Sequence, residues 1–119
     1  MKLIITATGP ALDDAVDPRF GRARYFVLVD DATGETTAHS NEVNLQAAQG
    51  AGIQAAQTVA GLGAEAVLTG HIGPKAFRVL QAAGIRIHTG ASGTVRQALA
   101  AYRGGSLREA SAADVEGHW

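Results

Sequence analysis

The sequence predicts a single α/β domain built on a mixed five-stranded sheet, and three observations carry that expectation. Short apolar runs rich in β-branched residues recur along the chain and stop at turn-forming residues. The first three follow one another without a helical segment between them. The last two alternate with alanine-rich segments of helical period, each closed by glycine, which is the pattern of parallel strand–helix units. A chain of 119 residues suits one core and leaves little room for two. The domain is expected over residues 1–107, followed by a loose polar tail over 108–119 that ends in Trp119.

Leu3-Ile4-Ile5-Thr6-Ala7 reads as a buried first strand, ended by Thr8-Gly9-Pro10. Residues 10–23 carry Pro10, Pro18 and Gly21 without periodicity and read as a long loop, a feature often tied to function. Tyr25 to Asp30 is a second strand, Asp31-Ala32-Thr33-Gly34 a hairpin turn, and Glu35 to Ser40 a weakly alternating edge strand. Gln46 to Leu62 takes a helical period, with Gly61 and Gly63 at its end. Ala66 to Thr69 is the fourth strand. Pro74 to Ala83 is a helix with proline at its first position, where a missing N–H costs nothing. Ile85 to His88 is the fifth strand and Thr94 to Tyr102 the last helix.

Right-handed crossovers make the first, fourth and fifth strands parallel neighbours. The economical sheet order is 3-2-1-4-5, with the second strand antiparallel and helices on both faces. The order reverses between strands 1 and 4, where open α/β sheets bind ligands off the carboxyl ends of their strands. Three glycine-bearing loops meet there: Thr8-Gly9, Gly70-His71-Ile72-Gly73, and Thr89 to Gly93.

Composition removes several functions. The chain has no cysteine, which excludes disulfides, thiolate metal sites and cysteine nucleophiles. Its net charge of −1 argues against a nucleic-acid binder. The apolar run Leu3 to Ala7 is too short for a signal core or a membrane span, so a cytoplasmic location and no membrane partner are expected.

Two of the loops run into helix starts, at Gly73-Pro74-Lys75 and Ser92-Gly93-Thr94. Such starts offer free N–H groups and the positive end of the helix dipole to an anion. The plain alternative is that the glycines only turn the chain and Ser92 or Thr94 caps a helix. Between Glu65 and Glu109 no acid occurs, while Lys75, Arg78, Arg86, Arg96, Arg103 and Arg108 do. Some of these solubilise outer helix faces. Lys75 falls in the first turn of a helix, where a cation is disfavoured unless an anion binds between them.

Gly50-Ala51-Gly52-Ile53-Gln54-Ala55 and Gly61-Leu62-Gly63-Ala64-Glu65-Ala66 match a dinucleotide fingerprint, but neither stands between a strand and the start of its helix. An NAD site is not expected. Of the four histidines, His39 and His118 read as solvated. His71 and His88 sit at strand ends facing the crevice, as candidate metal ligands or acid–base groups. No nucleophile–base or paired-carboxylate spacing points to an enzyme.

Val16-Asp17-Pro18-Arg19-Phe20-Gly21-Arg22-Ala23-Arg24-Tyr25-Phe26 resembles a signature of the dinitrogenase iron–molybdenum cofactor biosynthesis family, of the NifX and NifB C-terminal type. Asn44, Gly50-Ala51-Gly52-Ile53 and Gly70-His71-Ile72-Gly73-Pro74-Lys75-Ala76-Phe77 extend the likeness over roughly residues 2–107. The resemblance implies a ribonuclease H-like fold without nuclease activity. It implies binding or carrying of a molybdenum-containing metal–sulfide cluster, non-covalently and without catalysis. The single domain without Cys is similar to the orange-protein subset, whose cluster is a molybdenum–copper sulfide rather than an iron–molybdenum precursor. Carried over by motif, Phe20, Gly21, Arg22, Asn44, Gly50, Gly52, His71, Gly73, Pro74 and Lys75 become site residues. The loop reading adds Thr8, Gly9, Gly70, Ser92 and Gly93, with His71 and His88 as candidate ligands. Expected partners are a cluster donor or acceptor protein or an ATPase, and the chain is expected as a monomer or weak dimer. The rival readings are a regulatory module for a nucleotide or phosphorylated metabolite in the same loops, and a protein–protein adaptor.

Overall fold

Five consecutive buried residues, Leu3 to Ala7, force the first strand into the middle of the sheet. The computed structural model describes residues 1–46 and 50–114. Strand β1 (Lys2–Ala7) pairs antiparallel with β2 (Tyr25–Asp30) and parallel with β4 (Ala66–Leu68). Beyond β2 lies β3 (Thr36–Ser40), and beyond β4 lies β5 (Arg86–His88). The order is β3-β2-β1-β4-β5, as expected from the sequence.

Alternation along the strands divides two cores. Ile4, Phe26, Val67 and Ile87 face helices α2 (Ala51–Gly61) and α3 (Pro74–Ala82), packing on Ala55, Ala56, Val59, Phe77 and Leu80. Leu3, Ile5, Val27, Val29 and Leu68 face helix α4 (Val95–Arg103) through Val95, Ala98 and Leu99. Helices therefore cover both faces. Alanine lets them come close: Ala55 and Ala56 are fully buried, and their small side chains bring α2 down onto the sheet.

The helix expected from Gln46 starts later, and a short helix not expected from the sequence precedes it. A short helix α1 (Glu42–Leu45) forms first, with the N–H groups of Asn44 and Leu45 donating to the Asn41 carbonyl. Helix α2 begins only at Ala51, because Gly50 takes φ +77°, a left-handed conformation that no helix continues through. Gly52, a site candidate by motif, stands in its first turn.

The long loop is tied at nearly every step. Thr8 N–H donates to the Ala15 carbonyl, Asp17 N–H to Thr6, and Val16 N–H to Gly93. The buried Thr6 hydroxyl donates to the Asp17 carbonyl at 2.8 Å and is hydrogen-bonded to the Thr69 hydroxyl, also at 2.8 Å. A short 3-10 turn, Phe20–Arg22, closes the loop.

The segment expected as a loose tail lies against the domain over 108–114. Ala110 N–H donates to the Ile87 carbonyl, Glu109 bridges His88, and Asp114 N–H donates to Ile72. Edge strand β5 offers unpaired backbone groups there, and the chain returns to satisfy them. His118 and Trp119 lie outside the described residues.

Gly70 is where the loop presses hardest. A Cβ at this position would stand 2.7 Å from Pro18 Cα and 2.8 Å from its carbonyl oxygen. We expect Gly70→Ala to lower unfolding stability by about 1–3 kcal/mol through overpacking against backbone. Gly61→Ala, with nothing within 4 Å, is expected to raise it by about 0.4–1 kcal/mol. Urea denaturation of both variants checks the pair, and equal effects would contradict this packing.

Candidate functional site

The crevice expected between β1 and β4 is covered by the chain's own backbone. Residues 14–20 run over the carboxyl ends of these strands, bridging Ala7 through Val16, Thr94 through Ala15 and His71 through Arg19. Thr8 and Gly9 belong to the turn closed by Asp14, whose carboxylate accepts from Ala11 N–H and occupies the space a Gly9 Cβ would need. The start of α4 is likewise taken. Val95 N–H donates to Asp14, Arg96 N–H to Leu12, and Gln97 N–H to the Thr94 hydroxyl. The Gln97 side chain returns the bond to Thr94 N–H at 2.9 Å, completing a capping box. The donors that made Ser92 and Gly93 site candidates are thus spent within the chain, and Thr94 is a cap.

The other two long helices begin differently. Both α2 and α3 start at the carboxyl end of β4, α2 running back before the strand and α3 leaving after it. Their first turns touch: a Cβ at Gly52 would lie 3.4 Å from the Ala76 Cβ. Neither helix has a side-chain cap or an acidic residue in its first turn. Their first N–H groups take no backbone acceptor among the described residues, apart from Pro74, which has none to give. Two positive helix ends therefore lie side by side.

The two sequence motifs close this face. His71 N–H donates to the Pro18 carbonyl at 2.7 Å, and Phe20 N–H donates to the His71 carbonyl at 3.1 Å. This splice places the Phe20–Arg22 turn beside the loop that opens α3, and the turn packs on α1 and α2. The motifs are joined through backbone. Phe20 itself turns inward, 1% exposed and 5.9 Å from the Phe26 ring. Gly21, Gly70 and Gly73 are buried, Arg22 is half-buried, and Lys75 is exposed. Asn44 ties α1 to its surroundings through Asn41 Oδ1 (2.6 Å) and the Thr58 hydroxyl (3.3 Å).

The basic half of the chain is partly neutralised across the fold. Arg96 pairs with Asp13 and Arg103 with Asp31, at 3.0 and 2.6 Å. No ion pair among the described residues involves Lys75. The charge left at the helix starts is therefore more local than the sequence tally suggests.

The histidines separate. His71 is half-exposed at the opening of the α3 loop, with Nδ1 2.9 Å from Asp114 Oδ2. His88 is 8% exposed on the α4 face, its Nδ1 3.1 Å from the Leu107 carbonyl and its ring edge-on to Tyr102 at 5.1 Å. Strand alternation explains this, since neighbouring Ile87 takes the α3 face. His39, expected in solvent, is half-buried on β3, and its buried Nε2 has no hydrogen-bond partner among the described residues. Among the described residues no three His, Cys, Asp or Glu side chains form a group able to hold a metal ion.

Sequence reading missed Asn41 and Asp114. Asn41 is 1% exposed and its Nδ2 donates to the Ala23 carbonyl at 2.7 Å, anchoring α1 to the end of the signature loop. An asparagine just ahead of a helix was the available signal. A cavity of about 310 Å³ beside α1, lined by Arg24, Tyr25, Ser40, Glu42, Leu45 and Gln46, was also unforeseen.

Residues 1–105 match the family described as dinitrogenase iron-molybdenum cofactor. The apo form of the orange protein from Desulfovibrio gigas has the same fold with a TM-score of 0.94. It is 45% identical, with 96% of each chain covered. A Thermotoga protein with a NifB assignment superposes with a TM-score of 0.84 and is 31% identical over 98% of each chain. An uncharacterised protein of Methanocaldococcus jannaschii is 26% identical over 104 residues, 84% of this chain and 86% of that one. With the signature loop, the paired helix starts and nearly the whole length matched, the chain belongs to the dinitrogenase iron–molybdenum cofactor family.

Proposed function

We propose that this protein binds and carries an anionic, molybdenum-containing metal–sulfide cluster without catalysing a reaction. The carrying face is formed by the starts of α2 and α3, the Phe20–Arg22 turn, and His71 to Lys75. The observation that carries the reading is the contact of two uncapped helix starts, neither with an acid in its first turn, and one bearing Lys75. Each helix end favours a nearby anion by about 0.3–1 kcal/mol, more where partly buried.

The donor set suits this cargo. A cluster faced with its own sulfides needs no protein thiolate, and the chain has none. Main-chain N–H groups and cations hydrogen-bond to and neutralise such a surface. The family assignment supports cofactor chemistry, and the likeness to the orange protein favours a molybdenum–copper sulfide over an iron–molybdenum precursor. We extend the reading to a ribonuclease H-like scaffold, acting in the cytoplasm as a monomer or weak dimer with a cluster donor, an acceptor protein or an ATPase. No helix among the described residues is long and apolar enough to cross a membrane.

Reconstitution with tetrathiomolybdate and copper, followed by desalting, is expected to leave a charge-transfer band with the protein. Loss of the band on desalting would overturn the assignment. Thermal stabilisation by nucleotides and not by thiometallates would favour a phosphate-ligand module, and indifference to both an adaptor.

Lys75→Ala is expected to weaken retention about fivefold, the equivalent of about 1 kcal/mol, and to reduce its salt sensitivity. Thr94→Ala is the contrast, because its helix start is already satisfied. It should cost about 1 kcal/mol of stability and leave retention unchanged, read by denaturation and by the band after desalting.

A further inference from the structure

We infer that Asp114 is a positioning residue for His71, fixing both the tautomer of its ring and the loop that opens α3. The inference rests on the reading of His71 to Lys75 as part of the carrying face. Asp114 lies outside the stretch matched to the family, which ends at residue 105. It nonetheless makes three hydrogen bonds to two consecutive residues of the site loop. Its Oδ1 accepts from Ile72 N–H at 2.8 Å, its Oδ2 lies 2.9 Å from His71 Nδ1, and its own N–H donates to the Ile72 carbonyl at 3.2 Å.

The chemistry follows from what each group can do. A carboxylate only accepts, so the nitrogen facing it carries the proton. In neutral His71 the proton then sits on Nδ1 and the lone pair on Nε2. A carboxylate holding one ring nitrogen while the other meets a metal is the arrangement that orients and strengthens histidine ligands. The second oxygen holds Ile72, one residue before Gly73, from which α3 starts. One side chain thus sets the ring and the helix entrance together. The pair is only part-buried, at 45% and 34% exposure, so its purpose is orientation more than stability. The metal it would orient His71 towards is one at the edge of the sulfide cluster, such as copper.

Asp114→Asn separates positioning from simple support. The amide oxygen can still accept from Ile72 N–H, but an NH₂ facing the ring requires a lone pair on Nδ1, which moves the proton to Nε2. In the metal-free full chain, ¹⁵N shifts of the His71 ring should report Nδ1–H in the wild type and Nε2–H in Asp114→Asn. Ile72 amide exchange should stay slow in Asp114→Asn and speed up in Asp114→Ala. An Nε2–H ring in the wild type, or a ring unchanged by Asp114→Asn, would overturn the inference.

In protein loaded with thiomolybdate and copper, Asp114→Asn and His71→Ala should each release the band about tenfold faster than wild type, with no further loss in the double variant. Equal release by wild type and Asp114→Asn would remove the metal-facing role. A wild type that retains no band defeats the proposed function instead, and the ring tautomer alone then decides what Asp114 does.

Discussion

Two backbone hydrogen bonds, from His71 N–H to Pro18 and from Phe20 N–H to His71, hold together parts of the chain that the sheet alone would leave apart. They form a one-residue parallel ladder beyond the end of β4, between Arg19 and His71. Its geometry demands glycine at position 70, since any side chain there would strike the Pro18 backbone. Once this ladder forms, the long loop is pulled across the sheet end, the Phe20 ring enters the core against Phe26, and the Phe20–Arg22 turn is set against α2. The same ladder fixes where the chain turns into α3. The fold and the candidate site thus share one constraint, and a loop without periodicity becomes an ordered wall because its backbone groups are satisfied one by one.

That wall explains why the expected binding crevice and the structure part company. The switch point between β1 and β4 exists, but a crevice there requires strand ends open to solvent. Here Asp17 N–H and the Thr6 hydroxyl close the end of β1, while the loop strands over Thr94 and Gly93 close the start of α4. Among the described residues, the first N–H groups of α2 and α3, on the other face of the sheet, take no backbone acceptor. Glycine marks both kinds of place. At Gly9 and Gly70 it permits close packing, whereas at Gly50 it supplies the left-handed turn that opens a helix.

Most of the sheet was legible in the sequence, because β-branched runs and glycine stops report local preference directly. Strand β2 begins and ends where the run Tyr25 to Asp30 does, and the order of all five strands follows from connection rules. The start of α2 at Ala51 rather than Gln46 was not legible, since an alanine-rich period cannot disclose that Gly50 adopts positive φ. Nor could periodicity assign His88. Its burial depends on Tyr102 and Leu107 closing over β5, contacts that only the tertiary fold creates. Several of the residues named by motif are gathered at the starts of α2 and α3 and the Phe20–Arg22 turn, but what each of them touches was not legible. Phe20 anchors the wall in the core and Asn44 ties α1 to α2 through Thr58, while Gly52 and Ala76 let two helix starts approach.

The absence of cysteine fits the close approach of these two helix starts. A thiolate site holds a metal by a few directed bonds and needs ligands fixed at short range. On the proposed reading, a face made of two helix dipoles and Lys75 offers instead a diffuse positive field with several N–H donors, suited to a large anion whose charge lies on its outer atoms. Small residues let the two helix starts stand close together. A Cβ at Gly52 would already stand 3.4 Å from the Ala76 methyl, so side chains longer than alanine at these two positions would press the helix ends apart. The alanine and glycine bias of the chain is therefore more than a way to make short helices. At this one contact it sets how closely two positive ends can stand, and so how strongly the face can attract an anion.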